Sequence, residues 1–147
     1  MSLNEITVDA PIPVVWGVLA HPPTYEEWVV GNKRVRRHDP EWPDPGAEFH
    51  HTLGVGPLAL KDKTVALEAI PPRRLVMQVR ALPVGVGIVT FELDEAGSGT
   101  RVRMRERAES GPAKVLAPVV DRLVHLRNAE TLRRLRRCAE ARHRAAL

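Results

Sequence analysis

The stretch "TRVRMRERAES", residues 100–110, sets a chemical puzzle. Arginine stands at 101, 103, 105 and 107, with Val102, Met104, Glu106 and Ala108 between them. A strand sends alternate side chains to opposite faces, so one face is a row of guanidinium groups for water and the other is apolar except for one carboxyl group. An inward carboxyl is costly unless it is paired or hydrogen-bonded. Either Glu106 meets a partner in the interior, or it lies close enough to the strand end to reach water. In the first case it is a polar handle for a bound molecule and a candidate general acid or base.

Three further polar residues share this interior. In "AEFHHTLGV" the alternation turns Phe49, His51, Leu53 and Val55 inward and leaves Glu48, His50 and Thr52 outside. His51 is then either a hydrogen-bonded core histidine or a second proton carrier. In the last helix Arg127 and Asn128 fall inside or at the edge of the apolar stripe. They are either donors to a carbonyl and to Glu106, Arg127 first and Asn128 second, or side chains at a wet helix edge.

These side chains need a scaffold. "LNEITVDAP" reads as a first strand, with Asp9 as a cap for the short apolar helix "PIPVVWGVLA". "HPPTYEEWV" reads as a second short helix capped by Thr24, and its Tyr25 and Trp28 are placed at the mouth of an interior space. From residue 31 to 109 six strands follow in series with short links: "NKRVRRH", "AEFHHTLGV", "LALKDKTVALEAI", "LVMQVRAL", "VGVGIVTFEL" and "TRVRMRERAE". That order argues for an antiparallel meander. Leu75, Met77, Val79 and Ala81 form one inward set, and Val89, Phe91 and Leu93 another. The apolar parity of "LALKDKTVALEAI" switches near Thr64, which suggests a bulge there. Trp16 is read as core, and Trp42, between prolines, as a pin for its turn.

A long helix over roughly 112–142 ends the chain, kinked or reset at Pro118. Stepping 100° per residue puts Leu116, Val120, Leu123, Val124, Thr131, Leu135 and Cys138 on one stripe. Sheet and helix must each bury a face. The economical solution is α+β: a curved seven-stranded antiparallel sheet gripping the C-terminal helix, with two short helices after the first strand, in a single domain over 1–147. The residues expected around the enclosed space are Tyr25, Trp28, Phe49, His51, Met77, Val89, Phe91, Met104, Glu106, Leu123, Arg127 and Asn128.

Composition narrows the function. The chain has 147 residues, 44% hydrophobic and 27% charged, which suits one globular domain. A single cysteine, Cys138, excludes an intrachain disulfide and fits a reducing compartment. No segment reads as a signal peptide or membrane span, so the expected location is the cytoplasm. His50 and His51 are adjacent on a strand and point apart, no H-x-x-x-H pair lies on a helix, and no cysteines cluster, so no metal is expected. "GVGIVT" and "GVGPL" do not open a helix after a strand, so no nucleotide cofactor is expected either. The formal net charge of +4 invites nucleic acid, but the strand arginines alternate with aliphatic residues and aromatic content is only 4%. A solvated basic face is the better account, and no nucleic-acid partner is expected.

Four segments, in order, carry a family likeness: "VDAPIPVVWGVLAHPPTYEEW", "IPPRRLVMQV", "GSGTRVRMRE" and "RNAETLRRLRRCAE". Together they span nearly the whole chain, and it resembles the START-like or SRPBCC superfamily, within it the polyketide cyclase/dehydrase-like proteins. The resemblance implies a helix-grip fold with a cavity between sheet and helix that takes a hydrophobic small molecule, lipid or polyketide/aromatic in type. The superfamily includes carriers, receptors and aromatase/cyclases, so the fold leaves the activity open. The first expectation is binding of a hydrophobic ligand. The alternative is a polyketide cyclase/aromatase- or dehydratase-like enzyme using Glu106 or His51. A homodimer is left open.

Overall fold

The computed structural model describes residues 1–147, apart from the side chain of Val55, so the inward placement expected for Val55 lies outside the described residues. The chain runs β1 (Ser2–Val8), α1 (Ile12–Leu19), a 3-10 turn (Pro22–Thr24), α2 (Tyr25–Trp28), β2 (Asn32–His38), β3 (Glu48–Val55), β4 (Leu58–Ile70), β5 (Arg74–Ala81), β6 (Gly85–Ala96), β7 (Gly99–Ser110), α3 (Pro112–Val115) and α4 (Ala117–Ala146). The strands form one sheet in the order β1-β7-β6-β5-β4-β3-β2, and every neighbouring pair is antiparallel. This is the helix-grip arrangement: β2 to β7 form the meander, β1 joins it at the β7 edge, and α4 packs across the inner face.

The alternation in β7 explains its place. Val102 and Met104 are buried, whereas Arg101 and Arg103 reach Glu5, and Arg105 and Arg103 approach Glu92 and Asp94 across neighbouring strands. Such half-exposed pairs add little stability; the apolar face decides which way the strand turns. β5 and β6 behave alike, burying Leu75 and Met77, and Val89, Phe91 and Leu93.

β4 departs from expectation. Asp62, Thr64 and Ala66 all face in, and the bulge lies at Leu67, the extra residue between Ala66 and Glu68 in the pairing with β5. Leu67 is correspondingly exposed. The parity switch comes three residues after Thr64 because two polar side chains hold inward positions. Each has a partner there: Asp62 pairs with Arg80, and Thr64 with His51.

The C-terminal helix also corrects the reading. It breaks at Leu116, and Pro118 falls in the first turn of α4, where its missing amide has no helical partner to lose. The buried residues of α4 are Asn128, Thr131, Leu132, Leu135 and Ala139. Leu116 at the break is 50% exposed and Leu123 is 67% exposed, so neither belongs to the inner stripe. That stripe is centred near Leu135, and Leu123, twelve residues earlier, lies about 120° away around the helix.

Two caps also differ. Asp9 does not cap α1, whose N-cap is Pro11; the Asp9 amide donates to Glu140 Oε2 at 2.8 Å. The Thr24 hydroxyl faces the carbonyls of Val18 and His21 and accepts the Trp28 indole N–H at 3.1 Å, so it ties α2 to α1 rather than capping it. Trp42 does more than pin a turn. It is buried, donates to the Leu19 carbonyl at 3.1 Å, and packs edge-on to Phe49 at 4.8 Å.

Candidate functional site

A cavity of about 60 Å³ lies between the sheet and α4. β3 contributes Phe49, His51 and Leu53, β4 Thr64, β5 Met77 and Val79, β6 Val89 and Phe91, and β7 Met104 and Glu106. Tyr25, Trp28, Val29 and Asn32 wall it from α2 and the start of β2, and Arg127 and Thr131 from α4. Period-two alternation supplies the sheet side of this lining, since every inward residue of the gripping strands is offered to the same space.

Of the expected lining residues, ten are brought together here: Tyr25, Trp28, Phe49, His51, Met77, Val89, Phe91, Met104, Glu106 and Arg127. Asn128 stands one step behind the wall, fully buried and bonded to Glu106. Leu123 does not reach the cavity, because it is on the solvent side of α4. Tyr25 and Trp28 do not close a mouth. They are 2% and 0% exposed and pack tilted against each other at 4.5 Å, with Phe49 against Tyr25 and Phe91 against Trp28. They are the inner wall, and access is on the side of the partly exposed Leu53, Val79, Glu106 and Arg127. Burial pushes the Tyr25 phenol pKa well above its ordinary value, so it stays a neutral donor, to the Leu19 carbonyl at 2.8 Å.

The sequence reading passed over Val29, Asn32 and Thr64. No periodic signal marks Asn32, which opens a strand straight after a turn. Thr64 was hidden because it directly follows the charged run Lys61-Asp62-Lys63, where the alternation of the strand is ambiguous.

The polar groups form two clusters. In the first, Glu106 Oε1 accepts from Asn128 Nδ2 at 3.1 Å and from Arg127 Nη1 at 3.5 Å, while Arg127 Nε donates to the Val30 carbonyl at 3.2 Å. Asn128 is therefore the closer partner and Arg127 the looser one, the reverse of the expected order. Arg127 is long enough to span from Glu106 to the loop before β2, and at 37% side-chain exposure it sits at the rim.

In the second cluster, His51 Nε2 lies 2.9 Å from the Arg80 carbonyl, which can only accept, so that nitrogen carries the proton. Nδ1 then accepts from the Thr64 hydroxyl at 3.1 Å. Both ring nitrogens are thus engaged. The Arg80 backbone is held in turn by the ion pair of Arg80 Nε with Asp62, whose other oxygen accepts from the Leu82 amide at 3.0 Å. Burial works to raise the Asp62 carboxyl, but the Leu82 amide, Arg80 and the Lys63 amide together hold it below the usual range.

Burial lowers the His51 pKa below its ordinary value, against the smaller opposing pull of the Arg80 carbonyl. An unfolded histidine titrates near pH 6.5, roughly. Between the folded and unfolded values the unfolded chain binds the extra proton, so this contribution to stability is complete above about pH 6.5 and is lost as pH falls. The melting temperature is expected to decline on acidification from roughly pH 7 to 5, and His51→Gln to flatten that part of the profile. Thermal unfolding across pH checks this; an unchanged slope in the variant would mean the ring is not the group responsible.

Comparison with known proteins places this architecture. The family model described as polyketide cyclase/dehydrase and lipid transport matches residues 4–140. The chain belongs to that family. No curated protein sequence matches it. Among solved structures, the polyketide cyclase/dehydrase-like chain resembles protein NE0264 from Nitrosomonas europaea, at 18% identity over 95% of this chain and 94% of that one, with a TM-score of 0.73. Protein CV1439 from Chromobacterium violaceum gives 16% identity, coverage of 94% and 96%, and a TM-score of 0.74. The di-domain ARO/CYC StfQ from the steffimycin biosynthetic pathway gives 14% identity and a TM-score of 0.74, over 99% of this chain and 51% of StfQ. These likenesses share the fold. Among the described residues, no helix is long and apolar enough to cross a membrane.

Proposed function

We propose that the protein binds a hydrophobic, ring-containing small molecule in the cavity between sheet and α4. The observation that carries this reading is the lining itself: aromatic and aliphatic walls from Tyr25, Trp28, Phe49, Met77, Phe91 and Met104, interrupted by a few fixed polar groups. Apolar pockets with a small number of placed hydrogen-bonding groups are the usual form of a small-molecule site. At about 60 Å³ the enclosed space is less than half of the roughly 150 Å³ that holds one benzene ring. A ring therefore enters only as the partly exposed side of Leu53, Val79, Glu106 and Arg127 gives way, and a long acyl chain fits less still. Family membership and the likeness to StfQ support the polyketide or aromatic class.

A saturable fluorescence titration with an apolar dye, competed by naphthalene-sized aromatics, tests this. Met104→Trp places a larger side chain in the cavity and is expected to weaken binding at least tenfold without unfolding the protein, since overpacking typically costs about 1–3 kcal/mol. Unchanged binding in that variant would put the dye elsewhere.

A second reading, a cyclase- or dehydratase-like enzyme, is favoured by one observation: Glu106 presents a carboxyl group to the cavity beside two donors. In that reading Glu106 moves the proton and Arg127 holds a carbonyl. His51 is less suited, because Thr64 and Arg80 already occupy its two nitrogens. Glu106→Gln would then abolish turnover of a ring-forming substrate while ring binding persists.

A further inference from the structure

Asn32 is 7% exposed, lies on the cavity wall, and its Oδ1 has no hydrogen-bond partner among the described residues. Its amide N–H is already used, donating to the Val29 carbonyl at 3.1 Å, and the residue pairs with Leu53 ahead of a bulge in β2. A buried amide oxygen left unpaired is destabilising, and buried polar atoms in folded proteins nearly always find a partner. Turning the amide over would not cure this, since the nitrogen would then occupy the same dry position. An aliphatic side chain there would extend the apolar wall at no such cost.

We infer that Asn32 is a ligand-recognition residue whose side-chain oxygen accepts a hydrogen bond from an O–H or N–H group on the bound ring. This rests on the cavity reading above and narrows it to a hydroxylated or amino-bearing aromatic. The placement agrees. Two residues before Asn32, the Val30 carbonyl is gripped by Arg127, which also reaches Glu106. One guanidinium therefore ties the Asn32 loop to the carboxyl, and Asn32 and Glu106 line the same cavity. A ring bearing a donor satisfies an acceptor there; a ring bearing only a carbonyl does not.

The test uses two matched probes, 2-naphthol and naphthalene, titrated against the parent protein and Asn32→Leu, with thermal unfolding of both. The readout is the ratio of the two affinities, which cancels the apolar contribution. Asn32→Leu is expected to reduce the relative preference for 2-naphthol about five- to tenfold, the worth of one hydrogen bond, to leave naphthalene binding intact or tighter, and to melt no lower than the parent. If Asn32→Leu fails to fold, Asn32→Ala removes the same oxygen without added bulk and carries the same readout. An unchanged ratio with naphthalene binding intact overturns the role of Asn32 and leaves the cavity reading standing. Failure of both probes to bind the parent protein overturns the cavity reading and this inference with it.

Discussion

Replacing Trp28 by alanine is expected to lower stability by about 3–5 kcal/mol. For a chain of this size that corresponds to a melting temperature lower by roughly 6–20 °C. Trp28 is wholly buried, tilted against Tyr25 at 4.5 Å and edge-on to Phe91 at 5.7 Å, and its indole N–H is bonded to Thr24. Removing it takes away apolar contact on both sides and leaves a void that the rigid sheet behind Phe91 cannot collapse to fill. Because Trp28 is also cavity wall, the void should join the cavity. Added indole is therefore expected to bind the variant and recover part of the lost melting temperature, since a ligand that binds only the folded state stabilises it by mass action. Differential scanning calorimetry with and without indole decides the matter. A variant that melts within about 2 °C of the parent, less than 1 kcal/mol at this size, would mean that the side chain does not wall the cavity.

The second large effect concerns Asn128. It is completely buried and gives Glu106 its shortest hydrogen bond, 3.1 Å. Asn128→Leu keeps the volume but leaves the carboxyl group with only the rim guanidinium of Arg127 at 3.5 Å. Stranding a half-buried acceptor costs about 1–3 kcal/mol, whereas replacing both partners by apolar groups can be nearly neutral. The double variant Glu106→Leu/Asn128→Leu is thus expected to be more stable than the two single losses would sum to, with a coupling of about 1 kcal/mol or more. Arg127→Met should cost less than Asn128→Leu, because its contact is longer and more exposed. Denaturant unfolding of the four proteins in the cycle measures the coupling. Strictly additive losses would mean that Glu106 does not depend on Asn128.

Glu106 also shows how far the sequence could be read. Its inward position follows from Val102 and Met104 on the same face of β7, and its helix partners follow from the stripe that contains Thr131 and Leu135. The meander and the gripping helix are legible for the same reason: alternation in β3, β5, β6 and β7 is clean because each has one dry face. β4 was not legible at Thr64, because pattern reading assumes that inward residues are apolar. Asp62 and Thr64 break that assumption by pairing with Arg80 and His51. Leu123 was misplaced because the stripe was drawn at the wrong angle: the buried face of α4 is centred near Leu135, about 120° around the helix from Leu123. The start of α4 does meet the sheet, through Asn4 on the His125 carbonyl and the N-terminal amine on Asp121, while Leu123 and Leu126 face solvent. Asn32 left no trace at all, since an unpaired oxygen is a property of the assembled wall and not of any local pattern.

The central claim is that a ring-shaped ligand enters the space between the sheet and α4, and the three methionines offer a direct report on it. Met77 and Met104 line the cavity at 3% and 4% exposure, while Met1 is 71% exposed and outside the lining. In a titration of methyl-labelled protein with 2-naphthol followed by NMR, the Met77 and Met104 methyl signals are expected to move together and saturate with one dissociation constant, shifted by the ring current of the bound aromatic, while Met1 stays in place. Met77 and Met104 signals that remain still at saturating probe, or that move no more than Met1 does, would contradict the account.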